Sequence, residues 1–595
     1  MSRVKKEISN TSAFDSEFLA EEVSSKSSAK EFRRLLGYLS RHRALFWGGV
    51  VLILMATAAA LFEPRLFGYA IDEAVIPKDR DRLRQIAFLF LGVELVRVVA
   101  TIAQSLIFTL LGQRVMQDLR QEVLSHLQRL PISSFDRHPA GKLVTRVTND
   151  IGSLAEMFSA GFVTILSNIL TVFGIMIWLF WLDAGIASLS LAIFPFLIAA
   201  SIYFSGKLRV SYREARARLS AFNANLAENI MGMRVVQLFG REKRQLEKLS
   251  SINESYAQAQ IGSVRVFAFF QPSITWATGI SMAALIAYGG RKAMLPTAEG
   301  GVAPGVLVAF FAYVMTLFQP IREIADKWNL FLSGMASAER IFSILDWPVE
   351  MSDFSAIQGS AGAIRGEIRF ENVWFAYEGQ NWVLRDFSLE IQAGMRVGVV
   401  GHTGAGKSTL ISLLLRFYEP QKGRILIDGK DLREWDRREL RSRMGMIQQD
   451  VFLFSGTIRE NVSLFRSGVS LDEKGLAELP SRDQIYERGV NLSMGERQQI
   501  AFQRAAALDP DIWILDEATS NVDSRTEARI SRELKQAGAG KTQFLVAHRL
   551  STVRDCDWIV VLHHGELIEG GKHEELVRAG GTYSRLVALQ QLSAT

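Results

Sequence analysis

The first half of the chain carries apolar stretches too long for an ordinary core helix, and the second half breaks them into runs of five or six residues. Segments 44–62, 157–182, 184–206 and 266–290 are each close to or above the roughly 20 apolar residues that cross about 30 Å of hydrocarbon as a helix. A further stretch, 302–321, just reaches that length with Pro304 and Pro320 near its ends, and another, 86–112, is apolar apart from Glu94 and Arg97, so that in chain order 86–112 is the second span and 302–321 the sixth. Six membrane spans are therefore expected. Ahead of them, residues 1–30 mix Ser, Glu and Lys without an apolar period and read as a disordered tail. At 32–46, FRRLLGYLSRHRALF sets Leu35, Leu36, Leu39 and Leu45 against Arg33, Arg34, Arg41 and Arg43, a pattern suited to an interfacial amphipathic helix.

Charge gives the spans an orientation. Arg114, Arg120, Arg129, Arg137, Lys142 and Arg146 lie between the second and third spans, and nine Lys and Arg from Lys207 to Arg244 lie between the fourth and fifth. Basic loops stay cytoplasmic, so both connections are placed on that side with the N-terminus. Each is about 50 residues and helical in composition, so the membrane helices should continue well into the cytoplasm at about 1.5 Å per residue. The turn residues of PISSFDRHPAG at 131–141 suit the first reversal, and the polar helix around Arg213 to Ala221 is a candidate for the second. Composition agrees with this reading. Over 595 residues, 48% are apolar and 22% charged, and mean hydropathy is +0.13. The net charge of +6 invites a nucleic-acid partner, but much of the positive charge flanks the spans, which removes that class. A single cysteine, Cys556, excludes a disulfide framework and a cysteine-ligated zinc site.

After a linker at 346–363 the period changes. Strand-like runs at 367–373, 395–400, 511–516, 543–547 and 558–562 alternate with helical segments, the signature of an α/β domain over 364–595. GHTGAGKS at 401–408 matches the phosphate-binding loop between a strand and a helix. Its backbone, Gly401, His402, Thr403, Gly404, Ala405 and Gly406, is suited to curl around phosphates; Lys407 reaches the β and γ phosphates, and Ser408 and Thr409 open the helix. The strand IWILD ends in Asp516 and Glu517, placed to hold magnesium through water and to act as general base on the attacking water.

On these residues the chain resembles the ATP-binding cassette (ABC) transporters, specifically exporter half-transporters with six membrane helices fused ahead of one nucleotide-binding domain. The resemblance runs from about residue 31 to the end. NLSMGERQ at 491–498 is similar to the family's signature, LSGGQ, with Ser493 and Gly495 retained. Tyr377 resembles the adenine-stacking aromatic, Gln449 the glutamine that joins magnesium to the membrane domain, Asp523 the end of the D-loop and His548 the switch histidine at the γ-phosphate. In the membrane half, Phe135 and Asp136 with Gly141, Arg146 and Asp150 are similar to the first intracellular loop of exporters, and residues 228–240 to the second. The fold implied is a six-helix membrane bundle followed by an α/β P-loop ATPase. The function implied is ATP- and Mg2+-dependent export of a lipophilic substrate or drug, by a dimer whose cassettes close over two ATP molecules. A multi-pass position among membrane lipids, in a bacterial inner membrane with a cytoplasmic ATPase, is expected.

Two departures matter. Met494 and Glu496 replace a glycine and a glutamine of the signature while Lys407, Asp516, Glu517 and His548 are intact. That asymmetry favours a heterodimer with a second half-transporter, a homodimer being the alternative. The stretch 463–483 is about one helix shorter than the family pattern, which implies a trimmed docking surface, while the cross-linking loop GluArgGly at 487–489 survives. Within the second span, Glu94 and Arg97 are spaced for a mutual salt bridge or for a substrate-facing role, and Glu63 near the end of the first span has the same two readings. A lipid or lipid-conjugate flippase, a peptide exporter and an ATP-gated channel or regulator are the rival functions.

Overall fold

The computed structural model describes residues 27–296, 301–350, 364–464, 484–516, 524–547 and 550–594. It divides into two compact units. One comprises the chain up to Arg129 together with Pro139–Pro348, and the other comprises Leu130–His138 with the chain from Val349 onward.

The first unit is helical. Four helices among the described residues are long and apolar enough to cross a membrane: Arg43–Val75, Arg80–Leu127, Ala140–Leu182 and Pro304–Leu345. They contain the first, second, third and sixth expected spans. The other two fall on Ala184–Leu191 with Phe194–Met231, and on Glu242–Ala284, helices in which several side chains lie outside the described residues. Asp79 starts Arg80–Leu127 by accepting the N–H groups of Asp81 and Arg82, each at 3.0 Å. At 48 residues this helix runs about 72 Å, more than twice the hydrocarbon thickness. Helices Phe194–Met231 and Glu242–Ala284 pack chiefly on each other, whereas Arg43–Ala70, Arg80–Leu127, Val163–Leu182 and Pro304–Leu345 pack together. Within that group two helices touch backbone to backbone: Gly305 donates its N–H to Asp72 at 2.7 Å, and a Cβ on Gly305 would lie 2.0 Å from the Gly68 carbonyl oxygen.

Two expectations, the interfacial helix and the place of the second reversal, are corrected here. The amphipathic segment forms the helix Ser27–Arg41, which starts inside the expected tail. Its stripe of Leu35, Tyr38 and Leu39 is buried against protein in one cluster with Val115, Leu119, Ile341 and Phe342, and only Leu36 of its leucines is left exposed. The apolar face needed a cover, and the neighbouring helices supply it where a membrane surface was expected. Arg34 fixes the arrangement by pairing with Asp346 at 2.9 Å and lying over the Phe342 ring. The second reversal is not at 213–221, where the helix runs on uninterrupted; it lies at Gly232–Arg241, around the short helix Met233–Leu238. Arg97 takes both carboxylate oxygens of Glu94, at 2.5 and 2.7 Å, with Glu63 at 3.8 Å, so the three intramembrane charges are one ion-paired group. On the sixth span Phe310, Tyr313 and Phe318 are buried between helices, while Phe269 and Trp276 on the fifth are exposed.

The second unit is α/β. A four-stranded antiparallel sheet has the order β2-β1-β4-β5, with β1 at Ile368–Ala376, β2 at Trp382–Ile391, β4 at Lys422–Ile427 and β5 at Lys430–Asp431. A six-stranded sheet runs β12-β11-β3-β10-β9-β6, from β3 at Arg396–Val400, β6 at Met444–Ile447, β9 at Ile512–Asp516, β10 at Thr542–Val546, β11 at Trp558–His563 and β12 at Glu566–Gly571. Two-residue strands β7 (Gly456–Thr457) and β8 (Gln484–Ile485) pair with each other. In the large sheet β11, β3, β10, β9 and β6 are parallel, and alternate residues serve opposite faces: Ile512 and Ile514 join the core shared with β1 and β2, Trp513 and Leu515 the one beneath Phe502 and Leu534.

Candidate functional site

Parallel strands that end together define an edge, and ligands of open α/β sheets bind beyond it. Here β3 ends at Val400, β10 at Val546, β9 at Asp516 and β6 at Ile447, in adjacent registers. Residues 401–408 continue from the first of these strands. Gly404 and Gly406 have φ of +82° and +104°, conformations that exclude a side chain without strain, and the turn delivers the chain into the helix Lys407–Leu414. Gly401 is required for space: a Cβ there would lie 2.3 Å from the Leu562 carbonyl oxygen. Beside Gly404 there is open space for a ligand to approach the backbone.

Lys407 is buried, and its ammonium donates to the carbonyl oxygens of Gly401 at 2.7 Å and His402 at 3.2 Å. The cation is thus held across the loop it belongs to. His402, Thr403 and Ser408 are exposed, whereas Ala405, Gly406 and Thr409 are buried. Tyr377 follows β1, and its hydroxyl lies 3.2 Å from the Thr409 hydroxyl, which brings a half-exposed aromatic ring to the phosphate-loop helix. Asp516 closes β9 and Gln449 follows β6 on the same edge. Ser408, Asp516 and Gln449 offer only oxygen as metal ligands, the donor type that magnesium prefers. Glu517, Asp523 and His548 lie outside the described residues, as do residues 465–483 of the shortened stretch.

Ser493 and Gly495 stand on a different element, the helix Met494–Ala506. Ser493 is its N-cap and accepts the Glu496 N–H at 3.3 Å, while the Glu496 carboxylate accepts the Ser493 N–H at 2.7 Å. This reciprocal pair is a capping box, and it gives Glu496 a structural task at the helix start. Met494 sits at the first helical position with ordinary backbone, so the methionine costs nothing in conformation. Arg504 anchors the same helix through the carbonyls of Asn461 at 2.9 Å and Phe452 at 3.0 Å.

One residue of the site has no counterpart in the sequence reading. Tyr418 lies between two aromatic partners, Phe375 at 5.5 Å and Tyr377 at 5.0 Å, and donates its hydroxyl to Asp136 at 2.5 Å. Burial, then the Asp136 carboxylate, pushes the phenol above its ordinary range, so it stays a donor at physiological pH. Segment 130–138 is thereby linked to the tyrosine beside the phosphate loop. An aromatic pair directly after the phosphate-loop helix, Phe417 and Tyr418, was the available signal.

Comparison with known proteins bears on the whole chain. The family model described as the ABC transporter transmembrane region matches residues 46–321, and that described as ABC transporter matches 384–520. A probable multidrug resistance ABC transporter ATP-binding/permease protein of Bacillus subtilis, YheH, is 38% identical over 498 residues, which are 81% of this chain and 73% of that protein. An ATP-dependent lipid A-core flippase of Syntrophus aciditrophicus is 32% identical over 575 residues, 94% of each chain. Among solved structures, a bacterial Atm1-family ABC exporter with ATP bound superposes with a TM-score of 0.74 at 27% identity, covering 92% of this chain and 98% of that one.

Proposed function

Because the chain belongs to the ABC transporter family, with its membrane and ATP-binding regions in one polypeptide, it couples ATP hydrolysis to transport as an exporter of the multidrug, lipid or fatty acid type, and we propose that it is one half of a dimer that exports a lipophilic molecule. The observation that carries this reading is the phosphate loop on the sheet edge, with its two left-handed glycines and the buried Lys407. On it, the backbone of residues 401–406 and Lys407 bind the phosphates, Tyr377 packs on adenine, and Ser408, Asp516 and Gln449 hold magnesium, which supplies charge neutralisation at the phosphates when bound. Glu517 takes the proton of the attacking water, His548 contacts the γ-phosphate, and Asp523 with Ser493 and Gly495 serves the dimer interface.

Dimerisation is supported by an exposed apolar tip. Met231, Val235, Leu238 and Phe239 are exposed at the reversal between two helices that pack mainly on each other. Phe452, Phe454, Tyr486 and Val490 on the cassette are a second group of exposed apolar side chains that a partner would cover. A heterodimer is favoured over a homodimer because Glu496 places a carboxylate at the helix start that would face the partner's ATP. The basic connections set the cassette and N-terminus in the cytoplasm. Either a drug-like molecule or a lipid fits the same machinery; stimulation of hydrolysis by lipid and not by drugs would select the flippase reading.

The test is ATP hydrolysis by the purified chain, with and without a candidate partner, alongside Glu517→Gln. Hydrolysis that needs the partner and disappears in Glu517→Gln with ATP still bound is expected. Full-rate hydrolysis by the chain alone would remove the heterodimer, and an active Glu517→Gln chain would remove the assignment of the base.

A further inference from the structure

Three of the chain's eight histidines meet on the outer side of the phosphate loop. The register of the sheet brings them there. Val561 pairs with Val400 in the parallel ladder of β11 and β3, so the chains that leave the two strands run side by side for two more residues and set His563 next to His402. The hairpin between β11 and β12 then turns in two residues, His564 and Gly565, at φ of +46° and +84°. Such a turn is the tight type that fits strand twist, and it holds His564 on the same cluster. Ring centroids lie 5.1 Å apart for His402 with either neighbour and 4.3 Å apart for the adjacent pair. One nitrogen of each ring lies within 4.8 Å of the others, and all three side chains are exposed.

We propose that His402, His563 and His564 form a three-histidine site for a borderline divalent transition metal such as zinc, and that the bound ion clamps the phosphate loop to the β11–β12 hairpin. The chemistry of the donors selects the metal. Three imidazoles suit zinc, nickel or copper, whereas magnesium prefers oxygen, so the site stays separate from the magnesium that accompanies ATP. Tautomer and scaffold fit the same role. The Nδ1 of His402 lies 2.8 Å from the Thr403 carbonyl oxygen, which can only accept, so Nδ1 carries the hydrogen and Nε2 presents its lone pair. The hairpin is already tied to the loop, since Gly565 donates to the Ala405 carbonyl at 3.1 Å and accepts from Arg385 at 3.0 Å. Tetrahedral coordination at about 2.0 Å sets ligand nitrogens about 3.3 Å apart, a contraction that exposed imidazoles reach by side-chain rotation. Three protein ligands leave a fourth position for water.

Because His402 belongs to the loop that binds ATP, occupancy of this site restrains that loop and slows turnover. The test uses the untagged full-length chain in detergent, stripped of metal and titrated with zinc chloride, against the double variant His563→Gln, His564→Gln, which leaves the loop itself unaltered. One zinc per chain is expected, with affinity at least tenfold lower in the double variant. Hydrolysis of Mg-ATP without zinc should be equal in the two proteins, and one equivalent of zinc should slow only the wild type, by twofold or more. Cobalt in place of zinc should give the visible absorption of a tetrahedral site in the wild type alone. Equal zinc affinity in both proteins, or no binding to the wild type at about 100 µM zinc, a level at which even a weak site fills, would overturn the site. Zinc that binds without changing turnover, or slows both proteins alike, would overturn the clamp.

Discussion

Replacing Tyr418 with phenylalanine removes one atom from the link between segment 130–138 and the cassette. The ring keeps its edge-to-face contacts with Phe375 and Tyr377, so packing at the phosphate-loop helix is preserved. What disappears is the hydroxyl that donates to Asp136 at 2.5 Å. A hydrogen bond to a charged acceptor contributes about 1.5–3 kcal/mol when shielded from water. Asp136 is exposed, which pulls the value towards about 1 kcal/mol, or about fivefold in the ratio of linked to unlinked states. Tyr418→Phe in liposomes should therefore lower substrate-stimulated hydrolysis several-fold while leaving the apparent affinity for ATP unchanged. Tyr418→Ala should damage both, because Tyr377 loses its neighbour. A double-mutant cycle with Asp136→Ala isolates the bond. A coupling energy near 1 kcal/mol is expected, and strictly additive effects of the two substitutions would refute the link.

Three other residues carry further expected outcomes. Gly401→Ala places a Cβ 2.3 Å from the Leu562 carbonyl oxygen, so the loop must shift, and binding of a fluorescent ATP analogue should weaken by more than tenfold. Glu496→Gln keeps an acceptor for the Ser493 N–H but removes the charge; hydrolysis at the site facing this signature should rise several-fold with thermal stability unchanged, and an unaltered rate would show that the carboxylate is no handicap. Burial pushes the Cys556 thiol up to about 12, leaving a thiolate fraction near ~10⁻⁴ at pH 8. The folded chain should resist maleimide until denatured. Because the folded state holds this proton more tightly than the unfolded one, the stability it contributes is complete below about pH 8.5 and declines as pH rises towards 12, which alkaline unfolding curves of Cys556→Ala against wild type would reveal.

How much of this was legible in the sequence depended on the range of the interaction that carries it. The phosphate loop and the strands on either side are local: glycine spacing, one lysine and short apolar runs define them. Strands such as β2 at Trp382–Ile391, which alternates buried and exposed residues only from Phe387 on, lack the continuous apolar run that marks the central strands. The helix Ser27–Arg41 had a correctly read stripe whose cover came from residues near 119 and 342, beyond any local window. Tyr418 and Asp136 are 282 positions apart, so no spacing rule reaches them. Glu496 is a different case. Ser493 and Glu496 have the spacing of a capping box, a local signal, whereas the charge at 496 stands out only against the family pattern.

The contact between Gly68 and Gly305 constrains motion as well as packing. Where two main chains touch without side chains between them, there is no lubricating layer of rotamers, and sliding or spreading by even one ångström breaks the Gly305 to Asp72 hydrogen bond. The helices Arg43–Ala70 and Pro304–Leu345 therefore travel as a single strut. Any rearrangement of this bundle must then occur at seams away from that weld, such as the one around the helices Phe194–Met231 and Glu242–Ala284, which pack mainly on each other.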